Sequence, residues 1–118
     1  MARIKEFFKS FSHAFRGLKY AIINERNFQN ELLVAIIAFG AMLYYRVTRL
    51  ETIVIITMVM AVLVMEMLNT IVERIIDILK PSVHPYARLI KDLMAASVLL
   101  TSIMALIIGL VIFIPYIF

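Results

Sequence analysis

The sequence predicts an all-α membrane protein, with one N-terminal amphipathic surface helix followed by three transmembrane helices in each subunit of a homo-oligomer. Three observations carry that expectation. Hydrophobic residues fill 64% of the 118 positions and charged residues only 17%, against roughly 45–50% and about 25% in soluble domains. The long apolar runs contain little Gly or Pro, so in lipid their backbone must satisfy its hydrogen bonds internally, as helices. The first 27 residues mix aromatic and basic side chains at helical spacing. A chain this short forms one small domain, and a few helices enclose little of a site alone, which favours sites shared between subunits.

The surface helix is expected over 1–27. Ile4, Phe7, Phe8, Phe11, Phe15, Leu18 and Ile22 recur at steps of three and four, with Arg3, Lys5, Lys9, Arg16, Lys19 and Arg26 between them. That pattern describes a helix lying in the headgroup plane, its cations facing anionic lipid rather than nucleic acid. The segment lacks the compact apolar core and small-residue cleavage site of a signal peptide, so it is expected to remain in the mature protein.

Three spans follow, expected at 28–50, 52–79 and 88–118. The first has an uncharged core of 14 residues, Leu32 to Tyr45, and reaches membrane length only with its flanks. Arg46 and Arg49 then snorkel to the interface. The second has 14 uncharged residues from Thr52 before meeting Glu66, so it must continue through a polar segment. The third, Leu93 to Phe118, holds 26 residues without a charge. Pro81 and Pro85 bracket the loop before it, since proline is poorly tolerated inside a helix. Six basic residues precede position 28 and four lie between 74 and 91, while two occupy the 46–51 turn and none the C-terminus. The positive-inside rule therefore places the N-terminus and the 74–91 region in the cytoplasm.

Glu66 is the residue that points to function. A carboxylate in a transmembrane helix is costly and marks a functional site by default. At about 100° per residue, Glu66, Asn69, Glu73 and Asp77 fall within roughly an 80° arc. A rise of 1.5 Å per residue from Thr52 puts Glu66 roughly 21 Å into a core about 30 Å thick, near the depth at which a lipid presents its head. Glu25 and Glu31 stand at the junction of the surface helix with the first span. Without cysteine, any metal must be held by oxygen or histidine, and converging carboxylates suit Mg²⁺, which takes one or two of them together with substrate phosphates. Lys91, with Arg74 or Arg88, supplies cations for those phosphates. This set fits phosphoryl transfer, although no Walker loop or protein-kinase signature is present.

The ordered series Glu66-Met67-Leu68-Asn69-Thr70, Glu73, Asp77 and Lys91-Asp92, with Gly17-Leu18, Asn24-Glu25 and Phe28 upstream, resembles the small prokaryotic diacylglycerol kinases and their undecaprenol kinase relatives. The resemblance spans nearly the whole chain. It implies a homotrimer with sites shared between neighbours in the bacterial inner membrane, Mg-ATP as donor and a membrane lipid alcohol as acceptor. It further implies that Glu66 is the general base and that Glu25 and Glu73 hold Mg²⁺. Asn69, Lys91, Asp92 and Gly17 fall to the nucleotide, with Glu31 and Asp77 as further polar site positions. Gly17 fits a close helix approach and a tolerated surface glycine equally well. Arg26-Asn27-Phe28, His84-Pro85 and Ile112 to Pro115 look more like the undecaprenol branch, while Glu31 looks like the diacylglycerol branch; the acceptor expectation leans to undecaprenol. Ile71 and Met94 depart from the family pattern by being bulkier, and are expected to bear on substrate fit or helix packing.

Other readings share some of these residues. Asn69 and Thr70 also suit interhelical hydrogen bonding, and Asp77 with Lys80 a helix-end ion pair. His13 and His84 lack partners at ligand spacing, and the eight methionines suit packing. A proton-coupled drug exporter uses a membrane glutamate too, but needs neither the basic amphipathic prefix nor Lys91-Asp92. A structural subunit of a membrane complex needs no stripe of acids.

Overall fold

The computed structural model describes residues 1–79 and 85–118. Four helices account for nearly all of them: α1 (Ala2–Asn24), α2 (Arg26–Tyr45), α3 (Arg49–Ile78) and α4 (Pro85–Ile117). The last three are long and apolar enough to cross a membrane. At about 1.5 Å per residue, α3 and α4 extend beyond a hydrocarbon core about 30 Å thick.

The break between α1 and α2 is a single residue. Glu25 adopts an extended conformation (φ −104°, ψ 108°), although its N–H still bonds the Ala21 carbonyl at 3.0 Å. The last carbonyls of a helix lack partners within it, and here Gln29 in the first turn of α2 supplies them. Its Nε2 donates to the Ile22 and Ile23 carbonyls at 2.9 and 3.0 Å. Ala21 and Phe28 are buried at the junction. The angle of α1 is thus set by hydrogen bonds from its neighbour. Along α1, Phe7 and Phe11 stack edge-on with centroids 4.9 Å apart, and Phe7, Phe8, Phe11 and Phe15 all remain exposed. A basic, aromatic helix with no protein against its apolar face has the character of a membrane-surface element.

The α2–α3 turn falls earlier in the chain than the expected spans imply. Arg46 closes α2 in the left-handed conformation (φ 51°, ψ 54°), and Thr48 caps α3. Its Oγ1 accepts the Glu51 N–H at 3.1 Å, while Glu51 Oε1 accepts the Thr48 N–H at 2.9 Å, a reciprocal capping box. The span expected from 52 therefore begins at Arg49, and the one expected to reach 50 ends at Tyr45. Hydropathy marks the part of a helix that lipid covers, whereas capping marks where it ends. The Thr48-Arg49-Leu50-Glu51 spacing was readable, but lay hidden in what looked like a polar flank. Similarly, Pro85 does not close a loop; it is the first residue of α4, where its missing N–H costs nothing. The remainder of the expected 80–85 loop, with Lys80, Pro81 and His84, lies outside the described residues.

α4 packs most extensively along α3, α2 lies against α3, and α1 touches α2. Polar contacts at both ends fix α4 on α3. At the hinge end Lys91 Nζ donates to Asp77 Oδ1 at 2.9 Å. At the turn end the Tyr116 hydroxyl donates to Glu51 Oε1, beside Tyr45 and Phe113. The chain spans 52 × 47 × 22 Å, a slab rather than a ball, and no described side chain falls below 2% exposure. Such a slab has little interior of its own.

Replacing Thr48 with Ala removes one half of the capping box. The variant is expected to lose about 1 kcal/mol, read as a lower midpoint of thermal unfolding in detergent micelles. An unchanged midpoint would mean that α3 is held at this end by Tyr116 alone.

Candidate functional site in the polar half of helix α3

The residues α3 buries are Ile55, Val62, Glu66, Asn69 and Ile76, spaced by three, four and seven, so one helical face points inward throughout. The face changes character along its length. Near the turn it is aliphatic; from Glu66 onward it carries the stripe expected from sequence. Glu66 is 6% exposed and Asn69 8%, Glu73 is half-buried and Asp77 exposed. The stripe therefore rises from an enclosed carboxylate to a solvated one. Glu66 lies roughly 26 Å along the axis from Arg49.

The partners sort into levels. Deepest, Glu66 shares its surroundings with Glu31 of α2 and Glu73, both close enough to act on it electrostatically. An open apolar groove of about 530 Å³ between α2, α3 and α4 runs from Glu31 past Ala35, Ala38, Val62 and Ala105 to Phe113. At the next level Asn69 Nδ2 donates to Glu73 Oε1 at 3.2 Å. The Asn69 Oδ1 is then left buried with no hydrogen-bond partner, an uncommon situation for a polar atom. One turn on, the guanidinium of Arg74 pairs with Glu25 at the α1–α2 hinge and also meets the side chain of Tyr20. Outermost is the Lys91–Asp77 pair.

Sequence-expected residues meet this geometry unevenly. Glu31, Glu66, Asn69 and Glu73 come together, and Glu25 reaches α3 through Arg74, which lies about 100° round the helix from Glu73. Asp77 pairs with Lys91 of α4; its expected partner Lys80 is outside the described residues. Asp92 and His13 are exposed. Gly17 is exposed too, and nothing lies within 4 Å of a Cβ built on it, so within one chain no helix uses the space it leaves. Thr70 does not bridge helices: its hydroxyl donates to the Glu66 carbonyl of its own helix at 3.1 Å. Ile71 is 47% exposed, on the side of α3 away from Glu66, and does not border this cluster. Sequence reasoning missed the Arg74–Glu25 pairing, because the partners are 49 residues apart and no local pattern links them.

Comparison with known proteins identifies the family. The family model for prokaryotic diacylglycerol kinase matches residues 12–113. The chain is 33% identical over 112 residues to an undecaprenol kinase of Bacillus subtilis (strain 168), covering 95% of this chain and 91% of the relative. It is 29% identical over 99 residues to a diacylglycerol kinase of Escherichia coli (strain K12), covering 84% and 81%. A diacylglycerol kinase of Synechocystis sp. is 34% identical over 106 residues, 85% of this chain and 58% of that longer protein. A match from the middle of α1 to near the end of α4, over the elements that assemble the polar stripe, establishes that the chain belongs to the prokaryotic diacylglycerol kinase family.

Proposed function

We propose that this membrane lipid kinase transfers the γ-phosphate of ATP to the hydroxyl of a lipid alcohol, with undecaprenol preferred to diacylglycerol. The observation that carries the reading is Glu66, a carboxylate 6% exposed beside an apolar groove that begins at Glu31. The groove suits a hydrocarbon chain, and its polar end suits the hydroxyl that chain carries. Glu66 accepts the hydroxyl proton as the oxygen attacks the γ-phosphorus, and ADP departs as the bond to the β-phosphate oxygen breaks. A base held by helix packing, near the depth of its lipid substrate, needs no soluble intermediary.

Glu25, Glu73 and the unpartnered Asn69 Oδ1 form an all-oxygen donor set, which fits Mg²⁺. Among the described residues no three Asp, Glu or His groups gather as a ligand cluster. Mg²⁺ takes one or two carboxylates and completes its shell with phosphate oxygens and water. When bound, Mg²⁺ supplies charge neutralisation of the nucleotide phosphates. Asn69, Lys91, Asp92 and Gly17 attend the nucleotide, with Glu31 and Asp77 in supporting places. Lys91 is held by Asp77 at 2.9 Å, which aims its ammonium along the stripe. A homotrimer accounts for the thinness of the single chain, since neighbours would cover faces that one subunit leaves open. The reading further places the protein in the bacterial inner membrane with the stripe on the cytoplasmic side, where ATP is found. The undecaprenol preference is supported by Arg26-Asn27-Phe28 and by the extent of the match to the Bacillus subtilis relative. The exporter and structural-subunit readings find no support in the family match.

In mixed micelles containing undecaprenol or diacylglycerol, the wild-type chain should phosphorylate both, undecaprenol faster. Glu66→Gln should lower turnover by about 10²–10⁴ while the far-ultraviolet circular dichroism and oligomer size stay unchanged. Full activity in a folded Glu66→Gln protein would remove Glu66 from the chemistry. Chelation with EDTA should stop transfer, and added Mg²⁺ should restore it; transfer that persists in EDTA would refute the metal assignment.

A further inference from the structure

Arg74 is a cation held by a carboxylate that the proposed function assigns to the metal, Glu25. Three features describe its position. Glu25 is only 15% exposed at its side chain, and although it precedes α2 its carboxylate makes no capping bond to that helix; it turns across to α3 instead. Asp77, one turn further along α3, also acts on the guanidinium electrostatically. Arg74 itself is 48% exposed at its side chain, with room to rotate.

We propose that Arg74 is the counter-cation of Glu25 until Mg²⁺ and nucleotide bind, and that it then exchanges partners. The inference rests on the kinase reading above for the identity of the incoming charges. A divalent cation on Glu25 repels a guanidinium at contact distance. Freed from Glu25, Arg74 turns its fork to the nucleotide phosphates, a geometry that guanidinium matches in two hydrogen bonds. The exchange is easy because a partly solvated ion pair is weak. It also couples ligand binding to shape: Glu25 is the single extended residue between α1 and α2, and Tyr20 of α1 meets the same guanidinium. Arg74 is thereby a positioning residue that holds the surface helix against α3 until the nucleotide arrives.

The alternative is that Arg74 is a fixed strut. The two roles predict opposite signs for one measurement. Mn²⁺, a paramagnetic stand-in for Mg²⁺, is titrated by electron paramagnetic resonance into the full-length protein in micelles, with a non-hydrolysable ATP analogue and without it. Removing the competing cation in Arg74→Gln should tighten Mn²⁺ alone by about fivefold, and adding Glu25→Gln should abolish that gain. In steady-state turnover the KM for ATP should rise about tenfold, with partial recovery in Arg74→Lys. Unchanged or weaker Mn²⁺ binding in Arg74→Gln overturns the exchange, as does an absence of Mn²⁺ binding in both proteins. The Mn²⁺ titration needs no turnover, so a chain that phosphorylates neither lipid would defeat the kinase reading while leaving the competition for Glu25 measurable.

Discussion

A carboxylate cannot face lipid without cover, and the placement of Glu66 imposes that requirement on the other helices. A charge within a membrane-spanning helix is costly unless protein or a polar cavity encloses it. The buried face of α3 does this with one helical stripe, aliphatic at Ile55 and Val62 and polar from Glu66 to Asp77. α4 is held along α3 by Lys91–Asp77 at one end and Tyr116–Glu51 at the other. α2 brings Glu31 beside Glu66, and the α1–α2 hinge reaches α3 through Glu25 and Arg74. The arrangement leaves one helix layer with a polar corner and an apolar groove leading away from it.

On the proposed reading that corner joins two chemically opposed substrates. A lipid alcohol is confined to the membrane, whereas ATP is confined to water, so their reacting atoms have to meet at the boundary. The gradient of exposure along α3 supplies the boundary within one helix: Glu66 is enclosed, Glu73 half-buried and Asp77 exposed. The surface helix takes part because its last residues and its hinge, Tyr20 and Glu25, both converge on Arg74. The exposed aromatic face of α1, with Phe7, Phe8, Phe11 and Phe15, is thus linked to the polar end of α3 through a single extended residue, Glu25.

The helices and the stripe were legible because they are periodic. Apolar spacing marks α1 and three spans, and the positions of Glu66, Asn69, Glu73 and Asp77 follow from helical geometry alone. The ends of the helices were less legible, since hydropathy is silent where a helix emerges from lipid. Arg46 leaves α2 in a left-handed conformation no Gly announces, and the Thr48–Glu51 box starts α3 in what looks like a charged linker. Partner choice between helices was the least legible. Asp77 pairs with Lys91 and Glu25 with Arg74, and both choices depend on how separate helices are laid side by side. Gln29, which caps α1 from the next helix, belongs to the same class.

The central claim is that Glu66 meets the hydroxyl of a membrane-held lipid. A lipid alcohol bearing a photoreactive diazirine within a few bonds of its hydroxyl reports this directly, by mass spectrometry of the cross-linked peptides after illumination in bilayers. Diazirine products trap nearby carboxylates, so adducts should concentrate on Glu66 and Glu31 and disappear when excess unlabelled acceptor competes. Adducts confined to the 46–51 turn, or spread over the outward faces of the spans without competition, would contradict it.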